Sequence, residues 1–276
     1  MRDYDAELRA TAARIGADAV DAVAKGRVEY ASQLQRLVNL NVFLRYLVER
    51  DIPSAAPKGV RILYGKLTDL TSGITSLLLE GYPGPAASVF RSLLETAAHL
   101  QLVLASDVAS RSKLFEDFIL VQRSQAKTEG VISAERLAQN AEELAAVRDR
   151  YHPKYPHSWC WSLVPSERSR KGVPDNPNLR EVCVAIEKPH YYDDLYGHLS
   201  DAVHPTPGYE MWMRDAEKVI QLNPKFSHFT RMTASLSTLL VLETLLTLLR
   251  EFRPEDYADM CGLLHAFLPE NGLTPG

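Results

Sequence analysis

Three polar residues interrupt an otherwise apolar stretch. Between Pro85 and Ser106 the chain reads PAASVFRSLLETAAHLQLVLAS, where the only charges are Arg91 and Glu95, with His99 four residues further on. On an α-helix, positions i, i+4 and i+8 stay on one side. Arginine there supplies a planar fork matched to a carboxylate or phosphate. Glutamate can orient that fork or act as a base, and histidine can move protons near neutral pH. The plainer alternative is an intrahelical ion pair beside a core histidine with its own partner, although arginine ahead of glutamate is the weaker order for such a pair.

A second group closes a predicted helix: His198, Leu199, Ser200, Asp201, Ala202, Val203, His204 and Pro205. Ser200 and Asp201 precede His204 by four and three residues, so all three can share a face, with Asp201 placed to fix the imidazole tautomer. A histidine at a helix C-terminus is also simply favoured by the dipole. Unpaired charges are costly to bury, so the stripe on the apolar helix must meet partners from elsewhere. Arg91, Glu95, Ser200 and His204 are therefore the candidate reacting cluster, with His99 and Asp201 as binding residues. If His198, Asp201 and His204 met Glu95 and His99 across the bundle, that set would have the ligand types of a carboxylate and histidine metal site. Two-iron helical bundles, however, use Glu-x-x-His, one residue shorter than Glu95 to His99. No metal or cofactor is expected, and a metal-dependent bundle enzyme stands as an alternative.

The third group is the stretch Arg148 to Lys171, with six cations (Arg148, Arg150, Lys154, Arg168, Arg170, Lys171) against Asp149 and Glu167, a local charge of +4 in a chain of net charge −4. Tyr151, Tyr155, Trp159 and Trp161 lie among them. Aromatics interleaved with cations suit a nucleotide or single-stranded RNA, which makes Trp159 and Arg168 candidate binding residues. The same composition describes a loop that clamps its tryptophans onto a helical core and leaves its charges in water. His152, His157 and Cys160 could hold zinc, but no fourth ligand is spaced to join them. The chain has no G-x-S-x-G, Walker loop, G-x-G-x-x-G or H-E-x-x-H pattern, so the usual hydrolase, NTPase and dehydrogenase chemistries lack support.

Helices must position these residues. The stretch from Pro85 has apolar residues on nearly every side, which marks a helix buried all round at the centre of the fold. Ahead of it, apolar residues at helical spacing predict helices over 3–24, ended by Gly26, over 28–50 and over 58–80. Behind it they predict helices over 107–130 and 134–150. From Tyr151 to Asn178 periodicity disappears among prolines, which predicts a long irregular insertion. Asn178 with Glu181 resembles a capping box for a short helix to Ile186. Further helices are predicted over 190–204, 227–252 and 254–268, with an irregular stretch at 206–224. No alternating β-branched runs occur, so strands are not expected. Short connections between long helices predict an up-and-down bundle.

At 276 residues and 46% hydrophobic content the chain is long enough for one large domain, taken here as 1–276 with the insertion at 151–178 inside it. A pI near 6.1 gives no global attraction to nucleic acid or anionic membrane. Three cysteines without C-x-x-C spacing point to reduced thiols and a cytoplasmic setting. The charged N-terminus has no signal-peptide pattern. The apolar run Met232 to Leu242 is only 11 residues long before Glu243, so no membrane span is expected. Apolar faces on the first two helices and the last leave room for a homodimer.

The segments Arg91-Ser-Leu-Leu-Glu95 and Leu199-Ser200-Asp201-Ala-Val203-His204-Pro205 resemble an uncharacterised bacterial family, a domain of unknown function that pairs R-S-L-L-E with L-S-x-x-V-H about a hundred residues later. The likeness covers about Leu70 to Pro205. It is distantly similar to the HEPN helical domains, whose name refers to nucleotide binding and many of which are RNA-cleaving toxins or defence effectors. Active HEPN ribonucleases carry an arginine ahead of a histidine with four to six residues between them on one helix. Here seven residues separate Arg91 from His99. The resemblance thus implies a HEPN-like all-α fold foremost, and with it nucleotide or RNA binding or processing at the Arg/Glu/His cluster. A non-catalytic scaffold or interaction protein, whose polar cluster fixes helix register, is the alternative.

Overall fold

The computed structural model describes residues 10, 13, 17, 20–21, 23–49, 56–125, 133, 135, 138–139, 141–142, 145, 158–160, 162–164, 177–196, 199 and 228–267. The protein is all-α, with no strand among the described residues. Its elements are α1 (Ala31–Glu49), α2 (Lys58–Leu79), α3 (Pro83–Leu104), α4 (Val108–Gln125), a 3-10 turn (Ser158–Cys160), α5 (Leu179–Ala185), a π-helical turn (Tyr191–Tyr196), α6 (His228–Phe252) and α7 (Tyr257–Phe267). They form two compact units. The first comprises Met1–Ile52, Gly65–Ala97 and Tyr196–Gly276, and the second Pro53–Tyr64 and Ala98–Leu195.

In the first unit α6 packs along α1, and α7 folds back on α6 with the Arg250 guanidinium 5.5 Å from the Tyr257 ring. Leu37, Leu44 and Leu47 of α1 and Val241, Leu245 and Leu249 of α6 are fully or almost fully buried. Asn41 stitches α1 to α2. Its amide donates to the Leu37 carbonyl at 3.1 Å and to the Thr75 hydroxyl, while its oxygen accepts from Ser72 at 3.0 Å. This pairing removes the cost of a buried amide and fixes the register of the two helices. The end of α2 is a Schellman motif: Tyr82 N–H donates to Leu77 O at 2.8 Å, Gly81 N–H donates to Leu78 O at 3.1 Å, and Gly81 takes φ 76°. Arg27 adds a bond to the Leu79 carbonyl at 2.8 Å and an ion pair with Glu80.

In the second unit α4 packs on the 3-10 turn. The first residues of α2 are held from α4, since Gly59 N–H donates to Ser112 Oγ at 2.8 Å and Glu116 Oε1 at 2.9 Å. A side chain at 59 would place its Cβ 2.6 Å from the Ser112 carbonyl oxygen, so only glycine fits. The capping box of α5 is present, with Asn178 accepting from Glu181 N–H at 3.0 Å and Glu181 accepting from Asn178 N–H at 2.8 Å.

Several boundaries differ from the sequence expectation. Residues 23–29 are helical through Gly26, and the break falls at Tyr30. A single glycine costs a helix only about 1 kcal/mol against alanine and need not end it. α3 starts at Pro83 rather than Pro85. Both prolines fit its first turn, where the amides they lack would have no intrahelical partner. The predicted α-helix after Pro189 is a π-turn over Tyr191–Tyr196, with Leu199 helical beyond it. Phe229–Phe252 is long and apolar enough to cross a membrane by length and composition, with mean hydropathy 1.7, so Glu243 does not end the apolar stretch. That helix is 56% buried over its most apolar window, as a core helix is. Most of the predicted insertion 151–178, and the whole of 206–224, lie outside the described residues.

Candidate functional site

From Ala86 to Leu104 every residue of α3 is buried or half-buried, which makes its polar side chains conspicuous. Arg91 and Glu95 belong to the first unit and are half-buried, with side chains 20% and 35% exposed. They form an i,i+4 ion pair, with Arg91 Nε and Glu95 Oε1 3.8 Å apart. Tyr196 joins them. Its hydroxyl accepts a hydrogen bond from Arg91 Nη2 and donates to Glu95 Oε1 at 3.0 Å, and its ring lies beneath the guanidinium with the Arg91 Cζ 4.4 Å from the centroid. Burial raises the Tyr196 hydroxyl above its ordinary pKa, opposed by the Arg91 hydrogen bond and reinforced by the Glu95 charge. The phenol therefore stays neutral. It can serve both neighbours at once, accepting through its oxygen and donating its single proton.

His99 meets a different partner, in the second unit. The Trp159 indole N–H donates to His99 Nδ1 at 2.7 Å, and the two rings are tilted with centroids 5.4 Å apart. The hydrogen-bond geometry assigns His99 the neutral tautomer with its proton on Nε2. Trp159 is fully buried, and Phe115 of α4 meets it edge-on at 5.3 Å. In this arrangement Trp159 offers no surface to a stacked base. Close by in sequence, Cys160 is buried and its thiol is pushed up to about 12 by loss of solvent, as is that of Cys183 on α5. None of the three cysteines is in a disulfide.

A further tyrosine hydroxyl, that of Tyr191, is approached by Gln101 Nε2 at 3.4 Å, with the Lys188 ammonium 5.5 Å from the Tyr191 ring centroid. Burial raises the Tyr191 pKa and lowers that of Lys188.

The sequence candidates thus divide. Arg91 and Glu95 are brought together, through a residue the sequence did not single out. His99 and Trp159 bond to each other. Ser200, Asp201, His204 and Arg168 lie outside the described residues, and so does the expected approach of His204 to Arg91. Among the described residues no group of three or more His, Cys, Asp or Glu could hold a metal ion. Tyr196 carried one faint signal, a polar-tipped aromatic on a turn that precedes the Leu199–Pro205 motif.

The fold and the site define an all-α protein built on a nearly all-buried helix that carries a half-open Arg/Tyr/Glu cluster. The chain belongs to a family of unknown function, DUF5677, whose model matches residues 58–218. That span takes in Arg91, Glu95, His99, Trp159, Tyr196 and His204. No curated protein and no solved structure matches the chain.

Proposed function

We propose that this protein binds a phosphate-bearing ligand, a nucleotide or RNA, through Arg91. The observation that carries this reading is the half-buried Arg91 guanidinium, held over the Tyr196 ring and bonded to its hydroxyl, with Glu95 paired to it at 3.8 Å. A guanidinium so held loses little freedom when it takes a phosphate, and its fork matches two phosphate oxygens. The resemblance to HEPN domains argues the same way. In this reading the basic segment 148–171 steers RNA, and His204 does acid or base work on the bound ligand.

The test is fluorescence anisotropy of a labelled single-stranded RNA across a salt series, with ADP as a competitor. Wild type is expected to bind with affinity that falls as salt rises. Arg91→Met is expected to bind about tenfold more weakly or worse, the usual range for a lost phosphate or base contact. His204→Ala is expected to abolish any RNA cleavage. Indifference of the wild type to RNA and ADP at low salt would remove the reading.

The second reading, a non-catalytic helical scaffold, is favoured by the buried Trp159 and His99 pair and by Asn41, whose polar atoms are satisfied internally. It expects Arg91→Met to cost several kcal/mol of stability, as when a buried partner is left unpaired, and to alter no binding.

A further inference from the structure

One oxygen of the Glu95 carboxylate is already engaged and the other is not. Oε1 accepts from the Tyr196 hydroxyl at 3.0 Å and stands 3.8 Å from Arg91 Nε, while Oε2 has no hydrogen-bond partner among the described residues. With 35% of the side chain in solvent, this is a carboxylate that is held in place but not filled. A carboxylate only accepts, so the group that completes it must be a donor such as a hydroxyl. The ion pair bears on which hydroxyl can come. A bare carboxylate repels a polyanion, whereas one paired with a guanidinium lets a phosphate-bearing strand approach.

We propose that Glu95 Oε2 accepts a hydrogen bond from a ribose 2′-hydroxyl, so that the cluster selects RNA over DNA. This deepens the phosphate-binding reading and rests on it. In an RNA strand the 2′-hydroxyl and the 3′-phosphate sit on neighbouring ribose carbons, which suits an acceptor and a cation 3.8 Å apart on one helix face. DNA offers the same phosphate but no donor, and leaves Oε2 beside a polyanion without a partner. The selection uses the carboxylate and not the guanidinium donors, so Arg91 keeps its ion pair throughout. Tyr196 is a positioning residue in this scheme, because it fixes the carboxylate through Oε1.

The test is fluorescence anisotropy at one low salt concentration with labelled oligouridylate, its 2′-deoxy form and its 2′-fluoro form, all of equal length. The 2′-fluoro oligomer keeps an RNA-like sugar but has no 2′ donor. Wild type is expected to bind the ribo-oligomer about tenfold more tightly than either of the others, the worth of one hydrogen bond to a charged group. In Glu95→Ala that preference is expected to vanish, whatever the change in absolute affinity from the lost negative charge. Equal wild-type affinities, or a 2′-fluoro oligomer bound as tightly as RNA, would overturn the proposal and leave the phosphate-binding reading standing. A preference for RNA that survives in folded Glu95→Ala overturns it too. Should that variant fail to fold, the wild-type comparison of the 2′-fluoro and ribo-oligomers still decides. Failure of the wild type to bind any of the oligomers removes the phosphate-binding reading, and the ribose contact with it.

Discussion

The polar stripe of α3 meets two environments that differ in charge and in access. At His99 the contact is neutral and closed: an imidazole 8% exposed, a wholly buried indole, one N–H and one acceptor matched at 2.7 Å. At Arg91 and Glu95 an ion pair at 3.8 Å keeps 20% and 35% of the two side-chain surfaces in solvent and shares the Tyr196 hydroxyl. A neutral buried pair stabilises a fold with little left over for a ligand. A partly solvated ion pair contributes little to stability and stays open to solvent. Spacing along a helix therefore marks where polar groups stand, while burial and partner decide which of them serves the fold and which serves a ligand.

That contrast can be broken or sharpened by substitution. The largest effect is expected from Trp159→Ala, which empties a fully buried indole site and should cost about 3–5 kcal/mol in urea unfolding. A loss below about 1 kcal/mol would show that the closed pair is not structural. Trp159→Phe keeps most of the ring but leaves His99 Nδ1 without its donor, and about 1–3 kcal/mol is expected, the usual penalty for a buried polar atom left unsatisfied.

Alkaline unfolding probes the same region. Cys160 and Cys183 are pushed up to about 12 by burial, against about 8.5 for a solvated thiol. The folded state thus holds these protons more tightly. Their contribution to stability is full below about pH 8.5 and is lost as pH climbs toward about 12. Stability measured by urea titration should fall across that window, less steeply in a Cys160→Ala, Cys183→Ala variant. Native protein at pH 8 should react with a thiol reagent at Cys261, which is half-buried, ahead of the other two.

The smallest stability effect belongs to the open cluster. Arg91→Met should cost about 1–2 kcal/mol, because a partly solvated ion pair and a cation resting on a ring each contribute up to about 1 kcal/mol. A loss of several kcal/mol would erase the contrast and favour the scaffold.

The helices were readable because apolar residues at helical spacing leave few alternatives. α1, α2, α4 and α6 each lie within a residue or a few of the expected span, and the Asn178 and Glu181 capping box was visible as two residues at a fixed offset. Gly26 and Pro85 misled because glycine is tolerated inside a helix and proline in its first turn, so neither is a boundary by itself. The stripe on α3 was legible as an anomaly of polarity, but its partners were not. Tyr196 is 101 residues from Glu95 and Trp159 is 60 from His99, separations over which no periodicity carries information. The π-turn hid Tyr196 further. Its i→i+5 winding shifts the register of side chains away from that of an α-helix.

The most direct test of the account is the affinity of the purified protein for labelled single-stranded RNA at low salt, measured beside its Arg91→Met variant by fluorescence anisotropy. The account predicts salt-sensitive binding by the wild type and a loss of about tenfold or more in the variant, with its fold intact by circular dichroism. Equal affinities, or no binding by either protein, would contradict it.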